Sequence, residues 1–288
     1  MTGRFVLVTG ASTGIGKACA LYLAKNGFSV IAGVRRDEDG KNLELIAGGN
    51  LQGIRLDVAD SASIEAAGKK IAEITGDSGL AGIVNNAGIS VPGPVEFVSR
   101  DDWRRQFEVN AFGQVAVTQA LLPLVRRHVA ARGHGAGRIV FIGSIAGRVT
   151  MPMMGPYSAS KHAIAAIAAA LRMELHEQGI HVCLIEPGAI QSEIWRKGIE
   201  FAATIPADAP PREFYGRQID AAVNNARDSA AGAIPADRVA RLVWRCLSSP
   251  RPPRRKTIGR DALLAAVLKR ILPEKWFDGV LLMAMKIR

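Results

Sequence analysis

Between an apolar run, Arg4 to Val8, and a helical pattern, Lys17 to Asn26, lies Thr9-Gly-Ala-Ser-Thr-Gly-Ile-Gly16, and no other stretch restricts the chain as much. Glycines at 10, 14 and 16 let a backbone turn tightly and leave the amides of a helix N-terminus open to an anion. A simple helix-capping turn is the plain alternative. The context separates the two: a strand before and a helix after, at the start of a β-α-β unit, is where a pyrophosphate is held.

The same alternation continues down the chain. Phe28 to Gly33, Leu51 to Leu56, Leu80 to Val84, Arg138 to Gly143 and Ile180 to Ile185 read as strands, with long helical patterns over 101–132 and 157–178. Strands alternating with helices predict an α/β fold, a doubly wound parallel sheet covered on both faces. At 288 residues and 48% hydrophobic content the chain can bury a large core, and one compact domain is expected.

A second stretch carries the candidate chemistry. Tyr157 and Lys161 are four apart at the head of an alanine-rich helix, so they share a face and an ammonium lies beside a phenol. Bringing a tyrosine from a pKa near 10 to roughly 7 takes about 4 kcal/mol of preferential stabilisation of the phenolate, which a nearby cation can supply. Ser144 closes the strand pattern that begins at Arg138, so its hydroxyl is expected at the strand's carboxyl end, where open α/β sheets bind ligands. A Tyr and a Lys at helical spacing are also an ordinary half-exposed pair. The serine thirteen residues upstream favours the catalytic reading.

Ser144, Tyr157-x-x-x-Lys161, the turn Thr9 to Gly16, Asn85-Asn-Ala-Gly88 and Pro187-Gly188 together resemble the short-chain dehydrogenase/reductase family, in its order and spacing, over roughly residues 4 to 195. The pattern is most similar to the steroid and retinol dehydrogenase branch. The resemblance implies a single-domain Rossmann fold of about seven strands and a catalytic set of Ser144, Tyr157, Lys161 and Asn110. Tyr157 would move a proton to or from the substrate oxygen that Ser144 holds. Lys161 would lower the tyrosine pKa and bind the nicotinamide ribose, and Asn110 would hold a water that links the lysine to solvent. Cofactor contacts are implied for Gly10, Ser12, Thr13, Gly14, Ile15, Gly16, Asp57, Val58, Asn86, Ala87, Gly88, Tyr157, Lys161, Pro187, Gly188, Ile190 and Ser192. For Asp57 helix capping is an equal reading, and an Asn pair such as 85–86 also occurs in plain turns. The helices over 101–132 and 157–178 resemble the pair through which family members form homodimers or homotetramers.

Cofactor choice rests on Val34-Arg35-Arg36, at the end of the second strand. An acid there would bind both ribose hydroxyls of NAD, whereas an Arg accommodates the 2′-phosphate of NADP. By resemblance Val34 takes the acid's place and Arg35 the phosphate reader's, so NADP(H) is expected ahead of NAD. Asp37 and Glu38 follow closely, and an exposed basic pair is the alternative. The reaction implied is interconversion of a lipophilic secondary alcohol and its ketone. The rivals are a 3-oxoacyl thioester reductase and a non-catalytic NADP-binding sensor or scaffold.

Charge enters at the tail. Of the net +11, the last 39 residues carry ten Lys/Arg against three Asp/Glu, so the main body is only mildly basic and a nucleic-acid surface has little support. Three widely spaced cysteines in apolar segments suit buried free thiols, and five histidines show no metal-ligand spacing. The first residues pass directly into a strand pattern without a secretory leader, which fits a cytoplasmic protein. Residues 1–259 are expected to form the catalytic domain, with a substrate lid over about 192–225 containing Ile194, Trp195, Ile199, Phe201, Ile205, Phe214 and Tyr215. Residues 260–288 are expected to form a helical extension. Its clustered cations, Trp276-Phe277 pair and aliphatics suit either peripheral attachment to a membrane or closure of the substrate pocket or an interface.

Overall fold

The computed structural model describes residues 3–191, 199–200, 203, 206 and 208–287. Ser192, Ile194, Trp195, Phe201 and Ile205 lie outside them. Seven parallel strands run in the order β3-β2-β1-β4-β5-β6-β7: β1 Phe5–Thr9, β2 Ser29–Val34, β3 Leu51–Arg55, β4 Leu80–Asn85, β5 Gly137–Ile142, β6 Ile180–Pro187 and β7 Arg255–Ile258. The chain order reverses between β1 and β4. This opens a crevice at their carboxyl ends, the ligand site of a doubly wound sheet.

Alternation along each strand builds two cores, because successive side chains point to opposite faces. Val6, Val8, Val30, Ala32, Val140 and Ile142 pack on one face against α1 (Gly14–Lys25), α2 (Asp37–Ala47) and α8 (Ala236–Ser248). Phe5, Leu7, Ile31, Ile139 and Phe141 pack on the other against α3 (Ser61–Thr75), α5 (Gly113–Arg132) and α6 (Gly155–Glu174).

Three boundaries differ from the sequence reading. The expected helix over 101–132 is broken: α4 (Arg100–Phe107) passes into a wide π turn, Glu108–Phe112, before α5. The turn brings Asn110 inward, where its side chain bonds both backbone groups of Ile89. Helix α6 starts two residues before Tyr157, with Pro156 in its first turn, and ends at Glu174 rather than near 178. There the chain turns through Gly179, at φ +67°, to enter β6. The seventh strand, which no apolar run marks, comes from the basic Arg251–Lys256 stretch: Arg255 pairs with Leu184 and Ile258 with Pro187.

Beyond the sheet, α7 (Pro210–Ala231) and the last two helices, α9 (Arg260–Ile271) and α10 (Glu274–Ala284), complete the described chain. Helix α9 packs on β7 and on the short turn Ile145–Gly147 that follows Ser144. No helix among the described residues is long and apolar enough to cross a membrane.

Candidate active site

At the carboxyl end of β1, Gly10 and Gly14 take φ values of +62° and +54°, which side-chain-bearing residues rarely adopt. A Cβ on Gly16 would lie 2.1 Å from the Gly10 carbonyl oxygen, so only glycine fits where α1 meets the turn. Thr13 occupies the cap position, its side chain makes no capping bond, and the first turn of α1 holds no acid. The first-turn amides are therefore free of side-chain caps, as a phosphate-binding helix start requires. Ser12 and Ile15 belong to the same turn.

The Asn85–Gly88 segment ties the sheet centre together. Thr9 Oγ1 accepts from the amides of Asn86 and Ala87, each at 3.0 Å, and Asn86 Nδ2 donates to the Thr9 carbonyl at 2.9 Å. Asn85 donates to Thr118 and Gln114 donates to the Ala87 carbonyl. The strands flanking the crevice are thus pinned by side chains as well as by the ladder.

Arg35 and Arg36 are both exposed just after β2, but they differ. Arg36 makes a two-bond pair with Asp39 at 3.0 and 2.9 Å. Arg35 makes no ion pair among the described residues. Asp57 is not a helix cap: it accepts from the Ala59 amide in a local turn, while Asp60 caps α3 through Ala62. Val58 next to it is buried.

The structure brings Ser144, Tyr157 and Lys161 together. Ser144 Oγ accepts from the Ala146 amide at 3.1 Å, and the Tyr157 phenol hydrogen-bonds Ser144. Lys161, 4% exposed, donates to the Ile142 carbonyl at 2.9 Å and sits 5.7 Å from the Tyr157 ring centre. Burial pulls its ammonium down to about 8. Enclosure of the phenol's hydroxyl end pushes Tyr157 up, and the Ser144 bond only partly offsets this. The Lys161 ammonium thus stands beside the Tyr157 ring while donating to a backbone carbonyl.

Asn110 does not bond Lys161. It bonds the Ile89 carbonyl at 3.0 Å, the Ile89 amide at 2.8 Å and Ser160 Oγ at 3.1 Å, and Ser160 donates to the Tyr157 carbonyl at 2.7 Å. Ser160 was not singled out in the sequence. Its place three residues after Tyr157, on the buried face of α6, was the available signal.

At the end of β6, the Gly188 amide donates to the Ile258 carbonyl and the Ala189 amide to Asp261 Oδ2. Glu186, just ahead of Pro187, is the residue that sequence reasoning passed over: a single Glu before Pro-Gly carries no pattern. It is 1% exposed and accepts from Arg148 Nε at 2.8 Å, Arg255 Nε at 2.9 Å and Thr257 Oγ1 at 3.3 Å. Burial alone would raise its carboxyl, but the bonds and charges of Arg255 and Arg148 outweigh that and hold it below the usual carboxylate range. One carboxylate thereby joins the loop after Ser144, the end of β6 and the edge strand β7.

A cavity of about 380 Å³ opens onto Ser144, Tyr157 and residues Pro187 to Ile190. Its walls are mostly apolar, from Val149 and the 151–154 methionine run, from Ile219 and Val223 on α7, from Ala262 and Leu281 in the C-terminal helices, and from Met285 just after the last of them. Phe214 and Tyr215 do not line it. Phe214 is 63% exposed, and Tyr215 packs on Phe97 and donates to Glu96.

The short chain dehydrogenase family profile matches residues 4–201. An NADPH-dependent 3-dehydrocapnine reductase of Ornithobacterium rhinotracheale is 36% identical over 96% of this chain and 95% of its own length. A 17-beta-hydroxysteroid dehydrogenase type 6 of Bos taurus is 33% identical over 96% and 87%. Among solved structures, a short-chain dehydrogenase from Streptomyces avermitilis superposes with a TM-score of 0.75 at 28% identity, covering 92% of this chain and 90% of that one. With the sheet order, the glycine turn and the Ser144, Tyr157, Lys161 cluster, these matches make the chain a member of the short-chain dehydrogenase/reductase family of oxidoreductases.

Proposed function

We propose that the protein is an NADP(H)-dependent reductase of lipophilic ketones, working reversibly on the corresponding secondary alcohols. The observation that carries this is the mainly apolar cavity opening directly onto the Tyr157 phenol and Ser144. The glycine-shaped turn and uncapped start of α1 fit a dinucleotide. The turn residues Gly10 to Gly16 would hold its pyrophosphate, Asp57 and Val58 the adenine, Asn86 to Gly88 its inner side, and Pro187, Gly188, Ile190 and Ser192 the nicotinamide amide. Bound NADPH supplies the hydride. Ser144 holds the carbonyl oxygen, Tyr157 gives it a proton from its Oη, and Lys161 keeps a cation beside that phenol and the ribose. Asn110 and Ser160 fix the helix turn that carries Tyr157. The decisive assay follows NADPH oxidation by purified protein with ketosteroids, long-chain ketones and retinal against polyol-derived ketoses. Efficient turnover of the ketoses with no hydrophobic carbonyl accepted would reject the reading.

NADP(H) rests on Arg35, and the NADPH-dependent relative supports it. A charge-assisted bond to the 2′-phosphate is worth about 1.5 to 3 kcal/mol, so Arg35→Asp is expected to reverse the preference between NADPH and NADH. Direct titration of both cofactors checks this, and tighter NADH binding by the wild type would refute it.

On this reading residues 1–259 form the catalytic domain, 192–225 the lid and 260–288 an extension with two faces. Inner residues of α9 and α10 wall the cavity, while Leu264, Val267, Ile271, Trp276 and Met283 are 53–67% exposed. Set among Lys269, Arg270 and Lys275, that outer face suits the surface of an anionic bilayer, placing a cytoplasmic enzyme beside lipid-dissolved substrate. The full chain is expected to sediment with anionic liposomes at low salt and to release at high salt. Equal, negligible binding by the full chain and by one ending at Gly259 would remove the anchor. Exposed Phe112 and Met173, beside α5 and on α6, support the homodimer or homotetramer through these helices, which light scattering would count.

A further inference from the structure

Ser144 is aimed by a turn too short to hold itself. Ile145–Gly147 form a single 3₁₀ turn, and one turn fixes more backbone dihedrals than its hydrogen bonds repay. Yet this turn orients the hydroxyl: Ser144 Oγ accepts from the Ala146 amide at 3.1 Å, which leaves the hydroxyl proton for a carbonyl oxygen. A shift of Ala146 swings the hydroxyl with it.

On the strand side the position is secured by β6, because the Gly143 amide donates to the Ile185 carbonyl at 2.7 Å. On the far side the turn ends in Arg148, whose amide donates to the Ile145 carbonyl at 2.9 Å. Nε and Nη2 of its guanidinium reach one oxygen of Glu186, Oε2, at 2.8 and 2.7 Å. That carboxylate is itself immobile: it is buried, follows Ile185 on β6, and is held from the other side by two bonds from Arg255 at 2.9 and 2.5 Å. Neighbouring residues of β6 therefore grip the chain on both sides of Ser144, Ile185 through Gly143 and Glu186 through Arg148. Arg148 is not among the described residues that line the cavity, so it is no contact for substrate there.

We infer that Arg148 is a positioning residue for the proposed reduction: bonded to Glu186, it fixes the turn that aims the Ser144 hydroxyl at the carbonyl oxygen. This rests on the reading of Ser144 as the group that holds that oxygen. A hydrogen-bond donor aids the reaction most when it is already in place as charge develops, and a misplacement of about 1 Å costs on the order of 10²-fold in rate. Without the Arg148 guanidinium, Glu186 keeps Arg255 and Thr257 as partners, so the edge strand stays attached. What is released is the far end of the turn.

The test is a double-mutant cycle on the full chain, with NADPH and whichever compound wild type reduces fastest among ketosteroids, long-chain ketones, retinal and ketoses. Arg148→Met keeps an apolar stem and removes the guanidinium. Single-turnover rates with enzyme in excess are compared for wild type, Arg148→Met, Ser144→Ala and the double variant, and NADPH affinity is read by fluorescence titration. Arg148→Met is expected to lower the rate about 10- to 100-fold beside an intact Ser144, and by less than about twofold in the Ser144→Ala background, with NADPH affinity unchanged. A residue that only stabilises the fold leaves the rate of the folded protein as it was, or lowers it by the same factor in both backgrounds. Either result overturns the inference while the reading of Ser144 stands. A Ser144→Ala protein as fast as wild type, or a wild type that reduces none of the compounds, overturns both. Should Arg148→Met not fold, Arg148→Lys decides: its ammonium keeps a charge beside Glu186 but not the two-nitrogen grip. Its rate is expected to fall about three- to tenfold, again only where Ser144 is present, and a rate equal to wild type rejects the positioning role.

Discussion

Tyr157→Phe is expected to lower turnover by roughly 10²- to 10⁴-fold, the usual contribution of a positioned acid or base, while leaving folding and NADPH affinity nearly unchanged. The substitution removes one oxygen. The ring keeps its packing on α6, and the backbone carbonyl that accepts from Ser160 stays in place. What is lost is the proton that reaches the substrate oxygen and the bond to Ser144. Lys161→Ala should behave differently and damage both turnover and binding, since it deletes a buried ammonium that bonds the Ile142 carbonyl and stands by the proposed ribose site. Single-turnover NADPH oxidation together with fluorescence titration of NADPH separates the two effects. Near-normal turnover in the Tyr157→Phe protein would sink the mechanism.

Glu186→Gln is expected to destabilise the fold by about 3 kcal/mol, the low end for breaking a buried charge pair, because the partner side chains Arg148 and Arg255 remain 34% and 39% exposed. That corresponds to a fall in Tm on the order of 5–10 °C, readable in thermal and urea unfolding. The pH dependence gives a second check. The Glu186 carboxyl is held below its ordinary value in the folded state, so its contribution is fully present above the unfolded-state pKa, near 4.3. It is lost as pH falls through the lower, folded-state value. The gap between wild type and variant should therefore be constant at neutral pH and close in acid. A gap that stays open at the lowest pH where the protein folds would show that the loss is packing and not charge.

How much of this was legible in the chain follows from which interactions are local. Strand alternation, the glycine turn and the four-residue spacing of Tyr157 and Lys161 are short-range patterns, fixed by backbone geometry wherever the segment sits. They were enough to place the sheet, the crevice at β1 and β4, and the catalytic cluster. The turn at Glu108–Phe112 was not legible, because a π turn is stabilised by what Asn110 meets across the fold, namely Ile89 and Ser160. Nor was β7: Arg255 to Ile258 has no apolar run, and it becomes a strand because β6 offers an open edge and Glu186 a buried carboxylate for its arginine.

The same division holds at the site. The sequence by itself determined the family, the oxidoreductase class and the residues proposed to move the proton, since each of these rests on residue type at fixed spacing. Tertiary structure alone decided that the tail's inner face walls the cavity, that Phe214 and Tyr215 do not, and that Asp261 comes to the Ala189 amide across 72 positions of chain. It also set the surroundings of the pair, where burial raises the phenol of Tyr157 and lowers the ammonium of Lys161. The helical spacing of a Tyr and a Lys says that they are neighbours; how much water surrounds them, and which carbonyl claims the ammonium, is set by strands and loops distant in the chain.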